Sequence, residues 1–198
     1  PSGGGSMTPD LPQALHVALR VIEMLETLGV QYHLGGSYAS SVHGIPRQTQ
    51  NIDLVVVLSP EDAAALARGL SGEFCADEES ARTAARHKRS FNLVHLASGI
   101  KVDLFVLGEA AFDHEEFRRA ALVQVDVQHQ AFVKSPEDTM LRKLLWYRMG
   151  GEVSERQWTD VVGIVRTQGD RLDREHLQRW ARELGLEPLL ERALQAPS

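Results

Sequence analysis

Cysteine and long hydrophobic runs are nearly missing from this sequence. Only one of its 198 residues, Cys75, is a cysteine, so an internal disulfide bond and a zinc site built on several thiolates are both excluded. No apolar stretch approaches the roughly 20 residues that a membrane-spanning helix needs, and no secretory signal is recognisable. These absences favour a protein of the reducing cytoplasm that has no membrane partner.

Basic residues are also in the minority. Lys and Arg number 21 against 27 Asp and Glu, which gives a formal net charge of −6. Broad non-specific binding to nucleic acid needs many phosphate contacts from Lys and Arg, so this balance argues against it while allowing a local basic patch. With 43% hydrophobic and 24% charged residues, the chain has the composition of a folded globular protein.

The changing character of the sequence divides the chain into three parts. Residues 1–6 are interpreted as an expression scar that precedes a native Met7. Residues 7–134 mix helical and strand patterns, whereas residues 135–198 carry only helical ones. No flexible linker separates these last two parts, so we expect an α/β domain with a C-terminal helical region packed on it as one unit.

Hydrophobic spacing and turn residues predict the individual elements. Residues 52–58 are almost wholly apolar and β-branched, which is typical of a buried central strand, and Ser59-Pro60 begins a helix as N-cap and first helical residue. Trp146, Trp158 and Trp180 are predicted to fill the core of the helical region. The predicted strands cover residues 30–34, 52–58, 91–96, 100–106 and 122–127, and the predicted helices cover 11–28, 38–43, 60–70, 135–147, 154–166, 173–184 and 186–194.

Polar residues at the start of the predicted central strand carry the main functional signal. Asn51 and Asp53 are two residues apart, so both side chains project from the same face of the strand. Asp103, in the predicted strand 100–106, would join them if the two strands are neighbours. Oxygen ligands that converge in this way suit Mg²⁺. The turn Gly35-Gly36-Ser37, between a strand and a helix, would present backbone N–H groups to a phosphate.

These motifs resemble the nucleotidyltransferase superfamily, which has the DNA polymerase β-like fold. The family pattern is a Gly-Ser turn, a short helix, an Asp-x-Asp pair on a strand and a third Asp on a later strand. Here thirteen residues separate Gly36-Ser37 from Asn51-x-Asp53, and Asp103 stands in the third position. Among bacterial branches the sequence is most similar to the AbiEii-type toxins of toxin–antitoxin systems and their uncharacterised relatives, and the likeness covers residues 30–185.

The resemblance implies a fold, an activity and a set of site residues. The fold would be a mixed, twisted α/β (α+β) sheet with a C-terminal helical bundle. The activity would be metal-dependent transfer of a nucleoside monophosphate from a nucleoside triphosphate to a hydroxyl acceptor. The residues that would be catalytic and would hold Mg²⁺ or Mn²⁺ are Asn51, Asp53 and Asp103. The residues that would bind the nucleotide are Gly35, Gly36, Ser37, Arg47, Lys143 and Asp160.

One residue departs from the family pattern. The first carboxylate is replaced by Asn51, whose neutral oxygen can ligate a metal ion but brings no charge to offset it. Metal binding and transition-state stabilisation should therefore both weaken. Three explanations remain open: a natural non-catalytic relative, an enzyme with an altered metal requirement, or an engineered Asp→Asn change that silences a harmful enzyme. The alternative function is accordingly a non-catalytic nucleotide- or protein-binding module on the same fold.

The sequence does not specify the acceptor or the partners. A tRNA, a protein side chain and a small molecule all fit as acceptors, and an antitoxin is a candidate partner protein. The basic run from Arg82 to Arg89 is interpreted either as a solvated helix or loop face or as a track for an RNA acceptor or for phosphates.

Overall fold

A computed structural model of the chain describes residues 13–47, Thr49 and residues 51–196. The interpreted scar, Met7 and the first two residues of the first predicted helix lie outside these ranges. The strands are β1 (Tyr32–Leu34), β2 (Asn51–Val56), β3 (Phe74–Cys75), β4 (Ser90–His95), β5 (Lys101–Val106), β6 (Ala121–Gln124) and β7 (Gln130–Val133). The helices are α1 (Gln13–Thr27), α2 (Gly36–His43), α3 (Pro60–Leu70), α4 (Glu78–Arg86), α5 (Ala111–Arg118), α6 (Pro136–Met149), α7 (Glu155–Gln168), α8 (Arg174–Leu184) and α9 (Glu187–Leu194).

All these strands belong to a single mixed sheet in the order β3-β4-β5-β2-β1-β7-β6. β2 pairs antiparallel with β1 and parallel with β5, and β1 pairs parallel with β7. The predicted hairpin of residues 91–106 is present as the antiparallel pair β4 and β5. The mixed sheet and the helices that follow it confirm the predicted fold class.

The sheet separates a buried face from a face that carries polar residues. Ile52, Leu54 and Val56 of β2 are fully buried in a hydrophobic cluster that also includes side chains of α1 and α3. Because side chains alternate along a strand, Asn51 and Asp53 point to the opposite face. The order of strands and the alternation of β2 therefore place the polar residues together on one surface.

A second hydrophobic cluster lies among the C-terminal helices. It contains Leu144 of α6, Ile164 of α7 and Trp180 of α8, together with Phe112 of α5 from the earlier part of the chain. The division of the chain after residue 134 stays a prediction. None of the helices within residues 13–47 and 51–196 is long and apolar enough to cross a membrane.

Several details differ from the predictions. The elements β3, α4, α5 and β7 were not predicted, and the strand predicted over 122–127 ends at Gln124. The prediction that Trp146 fills the core is wrong, because this side chain is 44% exposed. The physical reason is the orientation of α6, which directs Thr139, Arg142, Lys143 and Trp146 into a cavity above the sheet.

Candidate functional site

The predicted acidic residues come together on one face of the sheet. In the parallel ladder Asp53 lies directly opposite Asp103, and Asn51 lies opposite Lys101; neighbouring strands are about 4.8 Å apart. Asn51 is exposed at the start of β2, whereas both aspartates are half-buried. The centre of the site is therefore a pair of neighbouring carboxylates, with an amide at its edge.

The charge of this pair is only partly balanced. Burial raises the pKa of Asp53, and the neighbouring Asp103 carboxylate raises it further. Lys101 Nζ lies 3.7 Å from Asp103 Oδ1. Two adjacent carboxylates of this kind fit a divalent cation that prefers oxygen ligands. Among the described residues no group of three His, Cys, Asp or Glu side chains is placed to share a metal ion, and the polar side chain that precedes Asp53 on the same face of β2 is the neutral amide of Asn51.

The Gly35–Ser37 turn is built directly against Asp53. The Gly35 N–H donates to the backbone oxygen of Asp53 at 2.9 Å, and the backbone N–H of Ser37 donates to its carboxylate. Gly36 has a φ of +51°, and a Cβ at this position would overlap the Asp53 carboxylate. Only glycine therefore allows the first turn of α2 to approach the acidic pair this closely.

Two predicted phosphate-binding cations converge on Asp160. Arg47 donates from Nε and Nη2 to the two carboxylate oxygens at 3.0 and 2.9 Å, and Lys143 Nζ donates to Oδ2 at 2.8 Å. Although burial alone would raise it, these bonds hold the pKa of Asp160 below its ordinary value. Burial lowers the pKa of Lys143. Asp160 thus orients both cations, and Arg47 also donates to Ser37 Oγ at 2.7 Å.

A cleft of about 650 Å³ opens in front of these groups. The residues that line it are Ser37, Arg47, Thr49, Asn51, Asp53, Lys143, Arg156 and Gln157. The structure therefore brings together five of the predicted site residues on its walls. Gly35, Gly36, Asp103 and Asp160 stand directly behind or beside those walls, in contact with Asp53 or with the cations.

Sequence reasoning missed three residues of this cleft, Thr49, Arg156 and Gln157. Arg156 Nη2 donates to Ser37 Oγ at 3.3 Å, and Gln157 Oε1 accepts from Lys143 Nζ at 3.1 Å. Both precede Asp160 by about one helical turn, and residues at that spacing share a helix face. This spacing is the signal that could have identified them.

A second cavity of about 260 Å³ adjoins the cleft and shares Asp53 and Lys143 with it, and Gly35 and Gly36 also line this second cavity. Its apolar walls are Val55 and Phe105 from the sheet and Trp146 from α6. Val55 and Phe105 lie opposite each other in the ladder, one step along from the two aspartates on the same face. The cavity therefore continues the site along the sheet.

Ion pairs line part of this second cavity. Lys134 Nζ donates to Glu116 Oε1 at 2.9 Å, and Arg142 reaches Glu116 at 3.1 Å and Asp113 at 2.6 Å. Burial lowers the pKa of Lys134, which also lines the cavity. Lys134 was missed because its partner lies on α5, which the sequence pattern did not predict. Its place directly between an apolar strand and a Ser N-cap was the available signal.

The comparison with known proteins bears on the fold. The sequence matches no family model and no curated protein. The structure is similar to an antigenic nucleotidyltransferase-like protein from Paracoccidioides brasiliensis, at 18% identity over 97% of this chain and 95% of the other, with a TM-score of 0.54. It is also similar to ANT(2'')-Ia, solved in complex with adenylyl-2''-tobramycin, at 12% identity over 87% of this chain and 97% of the other, with a TM-score of 0.54.

The structure is also similar to the solution structure of the antibiotic-resistance factor ANT(2'')-Ia, at 13% identity and a TM-score of 0.53. This match covers 92% of this chain and 100% of the other. At such identities a structural likeness establishes the architecture and nothing finer. The chain has the nucleotidyltransferase fold.

Proposed function

We propose that this protein transfers a nucleoside monophosphate from a nucleoside triphosphate to a hydroxyl acceptor and releases pyrophosphate. The observation that supports this most strongly is the position of Asp53 opposite Asp103, at the edge of a cleft that also contains Arg47 and Lys143. A protein of the same fold has been solved with an adenylylated antibiotic, which is the kind of product that this reaction forms.

The acidic pair has two roles in this proposal. Asp53 and Asp103 would hold Mg²⁺ or Mn²⁺, with Asn51 as a neutral third donor. When bound, such an ion offsets the negative charge of the phosphates and of the leaving pyrophosphate. Asp103 is the residue that we assign to orient the acceptor hydroxyl, because it lies opposite Asp53 and because Phe105, the next residue on its face of β5, lines the second cavity.

The cations of the cleft would bind the polyphosphate. Arg47, Lys143 and Arg156 line it, and Ser37 adds a hydroxyl at the start of α2. Asp160 holds two of these cations, Arg47 and Lys143, in fixed positions through its hydrogen bonds to them. Transfer of a phosphoryl or nucleotidyl group depends mainly on positioning and charge neutralisation, and both are supplied here by residues that the fold already orders.

A non-catalytic nucleotide-binding module is the second candidate, and Asn51 is the observation that favours it. Without the first carboxylate, the site keeps its phosphate-binding cations but has less negative charge for a metal ion. A toxin–antitoxin role, an antitoxin partner and membership of the AbiEii-type branch are proposals that rest on the sequence resemblance alone.

A label-transfer experiment tests the proposed function. The protein and its Asn51→Asp variant would be incubated with each α-³²P nucleoside triphosphate, with Mg²⁺ or Mn²⁺, and with total cellular RNA, protein and small molecules as acceptors. An Asn51→Asp, Asp53→Asn double variant is the matched control, and triphosphate binding would be measured by calorimetry on the same samples.

Each result has a defined meaning. Transfer by the unchanged chain would show that Asn51 suffices as a ligand, whereas transfer by Asn51→Asp alone would show a complete site silenced at one position. Triphosphate binding without transfer in either protein would favour the binding module. Absence of both binding and transfer would contradict both candidates.

A further inference from the structure

We propose that the cavity of about 260 Å³ beside Asp53 binds the acceptor, and that the acceptor is a small hydroxyl compound with an apolar, flat body and an anionic group. This inference rests on the proposed function, because it assigns the second substrate of the same site. Four features support it: the direction from which an acceptor can approach, the apolar walls of the cavity, the ion-paired carboxylates that line it and the positive charge of Lys88.

The first feature is the direction from which an acceptor can reach the acidic pair. Attacking and leaving oxygens lie roughly in line in this kind of transfer. If the polyphosphate lies against Arg47, Lys143 and Arg156, the pyrophosphate leaves on that side of Asp53. The attacking hydroxyl must then come from the other side of the reacting phosphorus, and the smaller cavity borders Asp53 without being lined by Arg47 or Arg156.

The second feature is the shape and chemistry of the walls. Val55 and Phe105 form one side and Trp146 the other, and the indole is 44% exposed although it faces a cavity. A flat apolar group between these walls would cover the indole and bury surface that now contacts water. A volume of about 260 Å³ is close to the lower end of small-molecule pockets, so a macromolecule would not fit inside.

The third feature is the charge inside the cavity. Apart from Asp53, the carboxylates that line it already have partners, since Asp113 pairs with Arg142 and Glu116 pairs with Lys134 and Arg142. A polycationic acceptor would find no free carboxylate there other than Asp53. The interior therefore suits an uncharged body.

The fourth feature is the charge at the mouth. Lys88 lines the cavity and is exposed in the turn between α4 and β4. Of the cations that line this cavity, it alone has no ion-pair partner within the described residues. Its φ of +51° is a left-handed conformation that is unfavourable for a residue with a side chain. A carboxylate or phosphate on the acceptor would give this ammonium group the partner that it lacks.

A pair of probes that differ in one charge tests this assignment. 4-(Hydroxymethyl)benzoate and 4-(hydroxymethyl)benzamide would be titrated against the full chain by ligand-observed NMR, with and without a saturating α,β-methylene nucleoside triphosphate and Mg²⁺. We expect the benzoate to bind with a Kd on the order of 1 mM, as for a ligand of this size. The amide should bind about tenfold more weakly, and the triphosphate analogue should not displace either probe.

Single substitutions test whether the two probes bind in this cavity. Trp146→Ala should weaken both probes about tenfold, whereas Met149→Ala, an exposed change on the same helix outside the cavity, should weaken neither. Lys88→Gln should remove the preference for the benzoate, and Arg86→Gln, in the same basic run but outside the cavity lining, should keep it.

Other outcomes would overturn the proposal. Competitive displacement of the probes by the triphosphate analogue would show that the cavity is a nucleobase site. Absence of probe binding would contradict the assignment of the cavity to the acceptor. Equal effects of Trp146→Ala and Met149→Ala on probe binding would contradict it as well. If tobramycin or an RNA oligonucleotide bound more tightly than the two probes, and if that binding depended on Trp146, the proposed acceptor class would be wrong. Probe binding without triphosphate binding would instead contradict the proposed function, so the two failures are distinguishable.

Discussion

At the scale of single residues, Gly36 links the backbone to the acidic pair. Its left-handed φ and its contact with Asp53 impose two separate requirements, one on conformation and one on space. Gly99 in the turn between β4 and β5 has a similar φ of +70° but open space around it. A comparison of substitutions at the two glycines therefore distinguishes the effect of backbone strain from the effect of the close approach to Asp53.

We predict that Gly36→Ala abolishes triphosphate binding, whereas Gly99→Ala does not. Both variants should lose about 1 kcal/mol of stability from the left-handed conformation, and Gly36→Ala should lose more because its methyl group displaces the Asp53 carboxylate. Urea unfolding and calorimetric titration would measure the two effects. Equal triphosphate affinity in the two variants would contradict the role given to Gly36.

His33 makes the stability of the fold depend on pH. The ring is buried in β1, its Nε2 has no hydrogen-bond partner within the described residues, and burial together with nearby Lys134 lowers its pKa to about 3. The unfolded chain takes up this proton near pH 6.5, whereas the folded chain takes it up only near pH 3. The stabilisation is therefore complete above pH 6.5 and is lost progressively as the pH falls from there towards 3.

We predict that His33→Leu flattens the acid side of the stability profile. Between pH 6 and pH 4 the slope should fall by up to one proton, or about 1.4 kcal/mol per pH unit. The free energy of unfolding in urea at a series of pH values measures this slope. His16→Gln, at an exposed position of α1, is the control, and an unchanged slope in His33→Leu would refute the assignment.

At the scale of elements, Asp160 ties three segments together. From α7 it reaches Lys143 on α6 and Arg47 after α2, and both its own side chain and that of Lys143 are 7% exposed. Removing one charge from a buried pair leaves the other without compensation.

We predict that Asp160→Asn destabilises the fold by about 3 kcal/mol. Glu183→Gln, which removes the exposed pair with Arg179 on α8, should change stability by less than about 0.5 kcal/mol. Guanidinium unfolding of both variants gives the comparison. Similar small losses in the two would show that the Asp160 pairs contribute no more than surface contacts.

Elements with local signals were predictable from the sequence. α3 and α6 begin at Ser-Pro pairs whose Ser side chain accepts the N–H of the third following residue, and β2 is an apolar, β-branched run. α4 was missed because its buried stripe consists only of small residues, Ala81, Ala84 and Ala85. Alanine gives a weak hydrophobic pattern although it favours helices.

The site was predictable as far as its motifs are local. Asn51, Asp53 and the Gly-Ser turn could be named from spacing, and the position of Asp103 depended only on whether β2 and β5 are neighbours. The pairing of Asp160 with Lys143 and Arg47 depends on how α7 packs against α6 and α2, which no sequence interval encodes. The same holds for Trp146, because the face that α6 turns toward the sheet is set by tertiary packing.

At the scale of the whole molecule, the two hydrophobic clusters are linked by α2, which contributes Ala39 to the first cluster and contacts α6 and α7 of the second. All three tryptophans lie between residues 146 and 180, so their fluorescence reports on the helical region, whereas Leu54 of β2 is fully buried in the sheet cluster. If both parts form one cooperative unit, a defect in one must lower the stability of the other.

We predict that Leu54→Ala shifts the tryptophan fluorescence transition as far as the circular dichroism transition. The expected loss is about 2–5 kcal/mol, and the two transitions should coincide in the parent and in the variant. Leu144→Ala, in the second cluster, is the reciprocal change. A fluorescence transition that does not move in Leu54→Ala would show that the helical region unfolds independently of the sheet.

The hydrogen bonds of Asp160 to Arg47 and Lys143 also determine at which step the side chains of these two cations lose their conformational entropy. Two long, flexible side chains are already immobilised in the folded chain, so their conformational entropy is lost during folding and not when a phosphate binds. In the proposed function, the affinity for the phosphates and the stability of the fold then depend on the same contacts. A substitution that loosens the packing of α7 would therefore weaken phosphate binding and lower the free energy of unfolding together.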